Sequence, residues 1–147
     1  MKILMVCLGN ICRSPLAHGI VEHLATEQGL DWVIDSAGTG DWHAGQAPDH
    51  RAILTALKNG IDISNQRAQH FQTHFFDRYD RIFVMDRQNL RDVLALAESD
   101  GQRQKVALFI ENDVVPDPYF DDNLFDPVFK LIYERSVEII NNLQEVR

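Results

Sequence analysis

Cysteine is scarce in this chain: there are two in 147 residues, Cys7 and Cys12, five positions apart. A pair so close makes a poor structural staple, which excludes a disulfide scaffold, and both are expected as thiols in a reducing cytoplasm. Long apolar runs are missing as well. The start, MKILMVCLGN, meets Gly9, Asn10 and Arg13 well short of a membrane span or a signal segment, so no membrane association is expected. Positive charge is in short supply: 14 Lys and Arg face 22 Asp and Glu, a net charge of -8 that disfavours nucleic acid as a general partner. No repeat, low-complexity tract or linker interrupts residues 1–147, which read as a single domain. The six histidines are scattered. His18 and His23 are five apart on one predicted helix, and no His, Cys or Asp cluster has metal-ligand spacing, so no metal or other cofactor is expected.

What is present is an alternation of strands and helices. KILMVC is a continuous apolar run of the kind that fills a strand buried on both faces. Ser14 then reads as a helix cap with Pro15 at the first helical position, and Leu16, Ile20, Val21 and Leu24 follow at helical spacing until Gly29. WVIDSAGT predicts a second strand, APDHRAILTALKNG a helix opened by Pro48 and closed by Gly60, and DRIFVMD a third strand. RQNLRDVLALAES predicts the next helix, KVALF a fourth strand, and residues 123–146 a long closing helix after the acidic loop ENDVVPDPYFDD. Strand–helix alternation implies right-handed crossovers and a parallel sheet covered on both faces, with ligands at the carboxyl ends of the strands.

Both cysteines lie at such an end, in CLGNICRS. In a loop turning from a strand into a helix, the backbone N–H groups of Leu8, Gly9, Asn10, Ile11, Cys12 and Arg13 can converge on one point, where the helix dipole adds positive potential. That point suits a phosphate or another oxyanion, and Arg13 can add a bidentate fork. A cysteine at the base of the cradle has its thiolate favoured by the same donors and can attack phosphorus in line. Gly9 lets a backbone amide approach closely, and Asn10 tolerates a left-handed turn. Expelling the leaving oxygen calls for a carboxylic acid, and the acidic loop offers Asp113, Asp117, Asp121, Asp122 and Asp126 without choosing among them. Trp42 and Tyr119 are candidate flat walls for an aromatic substrate, Trp42 alternatively a simple loop anchor.

CLGNICRS followed by a helix resembles the phosphate-binding loop of the low-molecular-weight protein tyrosine phosphatases. DSAGT after the second strand, GI before DIS, MDRQNLRDV after the third strand and DPYF from residue 117 resemble that family's landmarks in the same order. The resemblance implies a three-layer α/β fold with a four-stranded parallel sheet in the order 2-1-3-4. It implies Cys7 as nucleophile, Arg13 as the phosphate fork, Asn10 and Ser14 as loop supports with Ser36 behind them, and Asp117 as general acid. The partners it implies are phosphotyrosine-containing proteins, with phosphate and other oxyanions as inhibitors, the chain being a monomer or weak dimer. Cys12 stays open between a packing residue and a thiol that captures oxidised Cys7 as a protective disulfide. Two departures stand out. Phe120 replaces a second tyrosine found in many relatives, and the segment SNQRAQH has no histidine where the family often uses one to brace the loop, leaving Asn65 or Gln66 as substitutes.

Two other activities share the fold. In the related arginine phosphatases a threonine stands where this chain has Ile11, so the isoleucine favours phosphotyrosine. Thioredoxin-coupled arsenate reductases relay electrons through further cysteines, and this chain has none after Cys12. Asp121 and Asp122 read as a solvated pair, or as a guide for a cationic substrate flank.

Overall fold

The run Ile3–Cys7 becomes the heart of the sheet because alternate side chains find two separate cores. In a computed structural model describing residues 1–145, Ile3, Met5 and Cys7 join one apolar cluster with helix residues such as Leu16, Ile20 and Ile132, while Leu4 and Val6 join another with Phe71, Phe75, Phe76 and Val93. A strand with period-two side chains and both faces covered has no polar face, so it reads as an unbroken apolar run. Strands β1 (Lys2–Cys7), β2 (Val33–Gly38), β3 (Arg81–Val84) and β4 (Val106–Leu108) pair in parallel in the order β2-β1-β3-β4. The three-layer α/β architecture is the expected one.

Helices α1 (Arg13–Glu27), α2 (His50–Lys58), α3 (Phe75–Arg78), α4 (Arg87–Leu96), α5 (Asp100–Gln104) and α6 (Phe125–Glu145) cover the sheet, with a 3-10 turn at Asp122–Leu124 leading into α6. No described helix is long and apolar enough to cross a membrane. Val146, the expected end of the closing helix, lies outside the described residues. Two caps differ from expectation. Ser14 does not cap α1: the helix already starts at Arg13, no side chain caps it, and the Ser14 hydroxyl turns into the corner instead. Pro48 is not the first residue of α2, because Asp49 stands between them with extended backbone and caps the helix by accepting from Arg51 N–H. Helix α4 stops at Leu96 rather than Ser99, which instead caps the short α5. Both α3 and α5 escaped the sequence reading, being too short to show a helical period.

Candidate active site

The corner between β1 and α1 sits at the carboxyl edge of the central strand and is braced by the chain that follows β2. Thr39 N–H donates to the Cys7 carbonyl at 2.9 Å and Gly40 N–H to the Leu8 carbonyl at 2.9 Å. A side chain at Gly38 would meet the Leu8 carbonyl at 2.8 Å, so only glycine lets the two segments pass this closely. On the open side Gly9 lies against His43, whose Cδ2 stands 3.1 Å from where a Cβ would be.

Inside the corner, Cys7 is buried with its sulfur 3.0 Å from Ser14 Oγ and accepting from the Asn10 backbone N–H at 3.3 Å. Asn10 is the hub. Its backbone takes the left-handed conformation (φ 57°), and its side-chain amide donates to Ser14 Oγ at 2.8 Å and Ser36 Oγ at 3.0 Å. Its carbonyl oxygen accepts from Gln69 N–H at 2.9 Å, and the Gln69 side chain donates to the Ser36 carbonyl. The expected brace from Asn65 or Gln66 is therefore corrected. Gln66 donates to the Pro15 carbonyl, Asn65 is exposed, and Gln69, further along the same segment, holds the loop. A second brace reaches Ser36 from His18 on α1, with Nδ1 3.3 Å from the serine oxygen.

Arg13 is buried at the N-terminus of α1. Its Nη1 donates to Asp86 Oδ2 at 2.8 Å and the Val115 carbonyl at 3.1 Å, and its Nη2 lies 3.9 Å from Asp117 Oδ2. Burial pulls its proton affinity down, but the charge of Cys7 and the hydrogen bond to Asp86 outweigh this and hold it above the ordinary arginine value. Asp86, in the segment MDRQNLRDV, ties two elements of the site together. It caps α4 by accepting from Asn89 N–H with one oxygen and fixes Arg13 with the other. An aspartate right after a strand and before a helix is the sequence signal for the cap; its tie to Arg13 has no sequence signal.

Cys7, Leu8, Gly9, Ile11, Cys12, Arg13, Trp42, His43, Asp117, Tyr119 and Phe120 line one pocket of about 230 Å³. Asp117 is half exposed at its mouth, one oxygen accepting from Tyr119 N–H at 3.1 Å and the other turned toward Arg13. Trp42 and Tyr119 stand on the rim, and Phe120, 88% exposed, packs edge-on to Tyr119 at 4.9 Å. Arg51 escaped the sequence reading. Its guanidinium lies over the Tyr119 ring at 5.4 Å and the Phe125 ring at 4.7 Å while pairing with Asp49 and Asp122. Asp121 and Asp122 are both exposed, as a solvated pair should be, with Asp122 engaged by Arg51 at 2.6 Å and Asp121 capping the following turn. The Cys12 thiol is buried; that burial first, then the charges of Asp49, Cys7 and Asp117, push its pKa far up. Both cysteines are free.

A three-layer α/β sheet with a Cys-x5-Arg corner, an uncapped helix N-terminus and a carboxylate at the mouth defines an oxyanion-binding class of protein. Known proteins narrow the class. The family model described as low molecular weight phosphotyrosine protein phosphatase matches residues 2–147. The chain is similar to the Schizosaccharomyces pombe low molecular weight phosphotyrosine protein phosphatase, 41% identical over 128 residues that cover 81% of each chain. It is similar to the crystal structure of YfkJ from Bacillus subtilis, with TM-score 0.92 and 31% identity over 100% of this chain and 96% of that one. It is also similar to Vibrio vulnificus Wzb in complex with benzylphosphonate, with TM-score 0.86 and 28% identity over 96% of this chain and 97% of that one. The chain belongs to the low molecular weight phosphotyrosine protein phosphatase family and is a phosphoric monoester hydrolase.

Proposed function

We propose that this chain, working as one domain over 1–147, hydrolyses phosphotyrosine in proteins through a cysteinyl-phosphate on Cys7. The observation that carries the reading is that Cys7, Arg13 and Asp117 line a single pocket, with Cys7 at its base and apolar walls above it. The phosphate oxygens lie on the loop amides of Leu8 to Arg13 and on the Arg13 fork, whose plane is held by Asp86 and the Val115 carbonyl. The Cys7 thiolate attacks phosphorus as the phosphorus–oxygen bond to the ring breaks, and Asp117 gives its proton to the departing phenolate oxygen. Asp117, now a carboxylate, takes a proton from water, whose oxygen forms the new bond to phosphorus; the sulfur leaves as thiolate, eased by the Ser14 hydroxyl at 3.0 Å.

Three features favour an aryl phosphate. Trp42 and Tyr119 offer flat faces at the rim, Ile11 closes the wall where a threonine would suit phosphoarginine, and the Vibrio vulnificus relative holds benzylphosphonate, an oxyanion on an aromatic ring. Phosphate and other oxyanions would compete at the same cradle. Cys12 serves as a packing residue at rest, since its raised pKa keeps it a thiol and out of competition with Cys7. When a peroxide oxidises the Cys7 thiolate to the sulfenic acid, being reduced to water or an alcohol, the Cys12 thiol displaces water from that sulfur and closes a disulfide that a cellular thiol can reopen. The test is hydrolysis of p-nitrophenyl phosphate with a chelator present, followed by a panel of phosphotyrosine, phosphoserine, phosphothreonine and phosphoarginine peptides. Turnover of phosphotyrosine alone, abolished in Cys7→Ser, is expected; sustained turnover by Cys7→Ser removes the nucleophile assignment.

A further inference from the structure

The hydrogen-bond hub under the pocket extends one step beyond the groups the reaction explains. Asn10, Ser14 and Ser36 connect to Cys7, and Ser36 in turn connects to His18, a histidine whose sequence position suggested nothing. His18 lies on α1 one turn after Ser14, with its side chain 14% exposed. Its Nδ1 is 3.3 Å from Ser36 Oγ, and its Nε2 is 3.5 Å from Glu22 Oε2 on the next turn of the same helix.

Counting donors and acceptors gives this chain of contacts a direction. Asn10 Nδ2 can only donate, so Ser36 Oγ accepts from it. Ser36 is buried, and its own hydroxyl hydrogen needs an acceptor. Among the described residues Ser36 Oγ has two partners, Asn10 and His18, so the hydrogen goes to Nδ1 of the imidazole. An imidazole that accepts at Nδ1 carries its proton on Nε2, which faces Glu22. The carboxylate is in turn favoured: the hydrogen bond from His18 lowers the Glu22 pKa, against a smaller opposing effect of burial. The order is therefore Asn10 to Ser36 to His18, each group donating to the next, with Nε2–H directed at the Glu22 carboxylate 3.5 Å away.

We propose that His18 is a positioning residue for the phosphate loop, acting through Ser36: as the Nε2–H tautomer it takes the Ser36 hydroxyl hydrogen and so fixes the serine oxygen as an acceptor for Asn10. The consequence reaches the sulfur. With one amide hydrogen of Asn10 committed to Ser36, the other is held on Ser14 Oγ, and the Ser14 hydroxyl hydrogen is left to point at Cys7. Helix α1 thus contributes both the arginine that grips phosphate and the histidine that sets the polarity of the loop's support. This inference rests on the Cys7 reading above.

The test compares His18→Leu, which keeps bulk and removes the acceptor, with His18→Asn, whose Oδ1 can stand where Nδ1 does. His18→Leu is expected to lower kcat for p-nitrophenyl phosphate roughly three- to tenfold with KM little changed, the scale of one lost buried hydrogen bond. His18→Asn is expected within about twofold of the parent, on the same scale, and His18→Leu added to Ser36→Ala should cost nothing further. Long-range proton–nitrogen NMR of the full chain should find Nε2 protonated and Nδ1 bare. Equal losses in the Leu and Asn variants, additive losses with Ser36→Ala, or a proton on Nδ1 would each overturn the proposal. If His18→Leu fails to fold, the NMR tautomer and the Asn variant decide alone. A Cys7→Ser variant run alongside separates the two readings: its continued turnover refutes the nucleophile, while the tautomer still judges His18.

Discussion

Replacing Asn10 by alanine removes three hydrogen bonds at once: to Ser14 Oγ at 2.8 Å, to Ser36 Oγ at 3.0 Å and from Gln69 N–H at 2.9 Å. At about 1 kcal/mol net for each, the bonds contribute roughly 3 kcal/mol. The backbone adds a second cost, because alanine at φ 57° pays about 1 kcal/mol or more for a left-handed conformation that asparagine tolerates. Water can reach the exposed Gln69 and the serine hydroxyls can turn, which returns about 1 kcal/mol, leaving a net loss near 3 kcal/mol. Against a total stability of about 5–15 kcal/mol this is large, and at roughly 2–4 °C per kcal/mol it lowers Tm by about 6–12 °C. Asn10→Gly separates the two causes. It loses the same bonds but fits the backbone, so it should unfold about 1 kcal/mol later than Asn10→Ala. Urea unfolding of the three proteins, with kcat on p-nitrophenyl phosphate alongside, supplies the measurement. Both variants should lose most activity. If both unfold within about 1 kcal/mol of the parent, the hub does not hold the loop, and this account of the site is wrong.

Asp86→Ala should destabilise by about 2–4 kcal/mol and raise KM, because a helix cap and the partner of a buried arginine disappear together; Asp86→Asn should keep the cap and show a smaller stability loss with a similar KM rise, measured by thermal unfolding and steady-state kinetics. Tyr79 tests pH dependence. Burial, then its 2.6 Å hydrogen bond to Asp35, raises its pKa from 10.0 to about 12, so its contribution is fully present below pH 10 and is lost as pH rises toward about 12. Urea midpoints of the parent should fall across that window while Tyr79→Phe, weaker at neutral pH, loses less there; parallel curves would remove the assignment.

The site joins two requirements that pull apart in an ordinary helix. A side-chain cap stabilises a helix start by using its free N–H groups, whereas an anion site needs those groups open. Here no side chain caps α1, and the nearby Ser14 hydroxyl is turned instead to Asn10 and Cys7. The stability that a cap would contribute is recovered from Asn10, Gln69 and the β2 segment, which hold the loop from behind.

Local chemistry was legible in the sequence because it depends on near neighbours. The alternation of apolar strands and amphipathic helices dictated a parallel α/β sheet, and a cysteine, a glycine, an asparagine and an arginine within seven residues marked an anion cradle before any contact was known. The choice of Asp117 from five loop acids rested on resemblance, and the fold brings that residue to the pocket mouth through a turn in which Tyr119 N–H holds its carboxylate. What the tertiary structure alone decided is everything set by residues far apart along the chain. Asp86 fixes Arg13 from 73 positions away, Gln69 rather than Asn65 or Gln66 braces Asn10, Arg51 lies over the Tyr119 ring, and His18 meets Ser36. A single sequence carries the period of a helix and the propensity of a turn. It carries no direct mark of which polar groups meet when strands and helices pack, since that depends on how buried donors and acceptors pair once water has left.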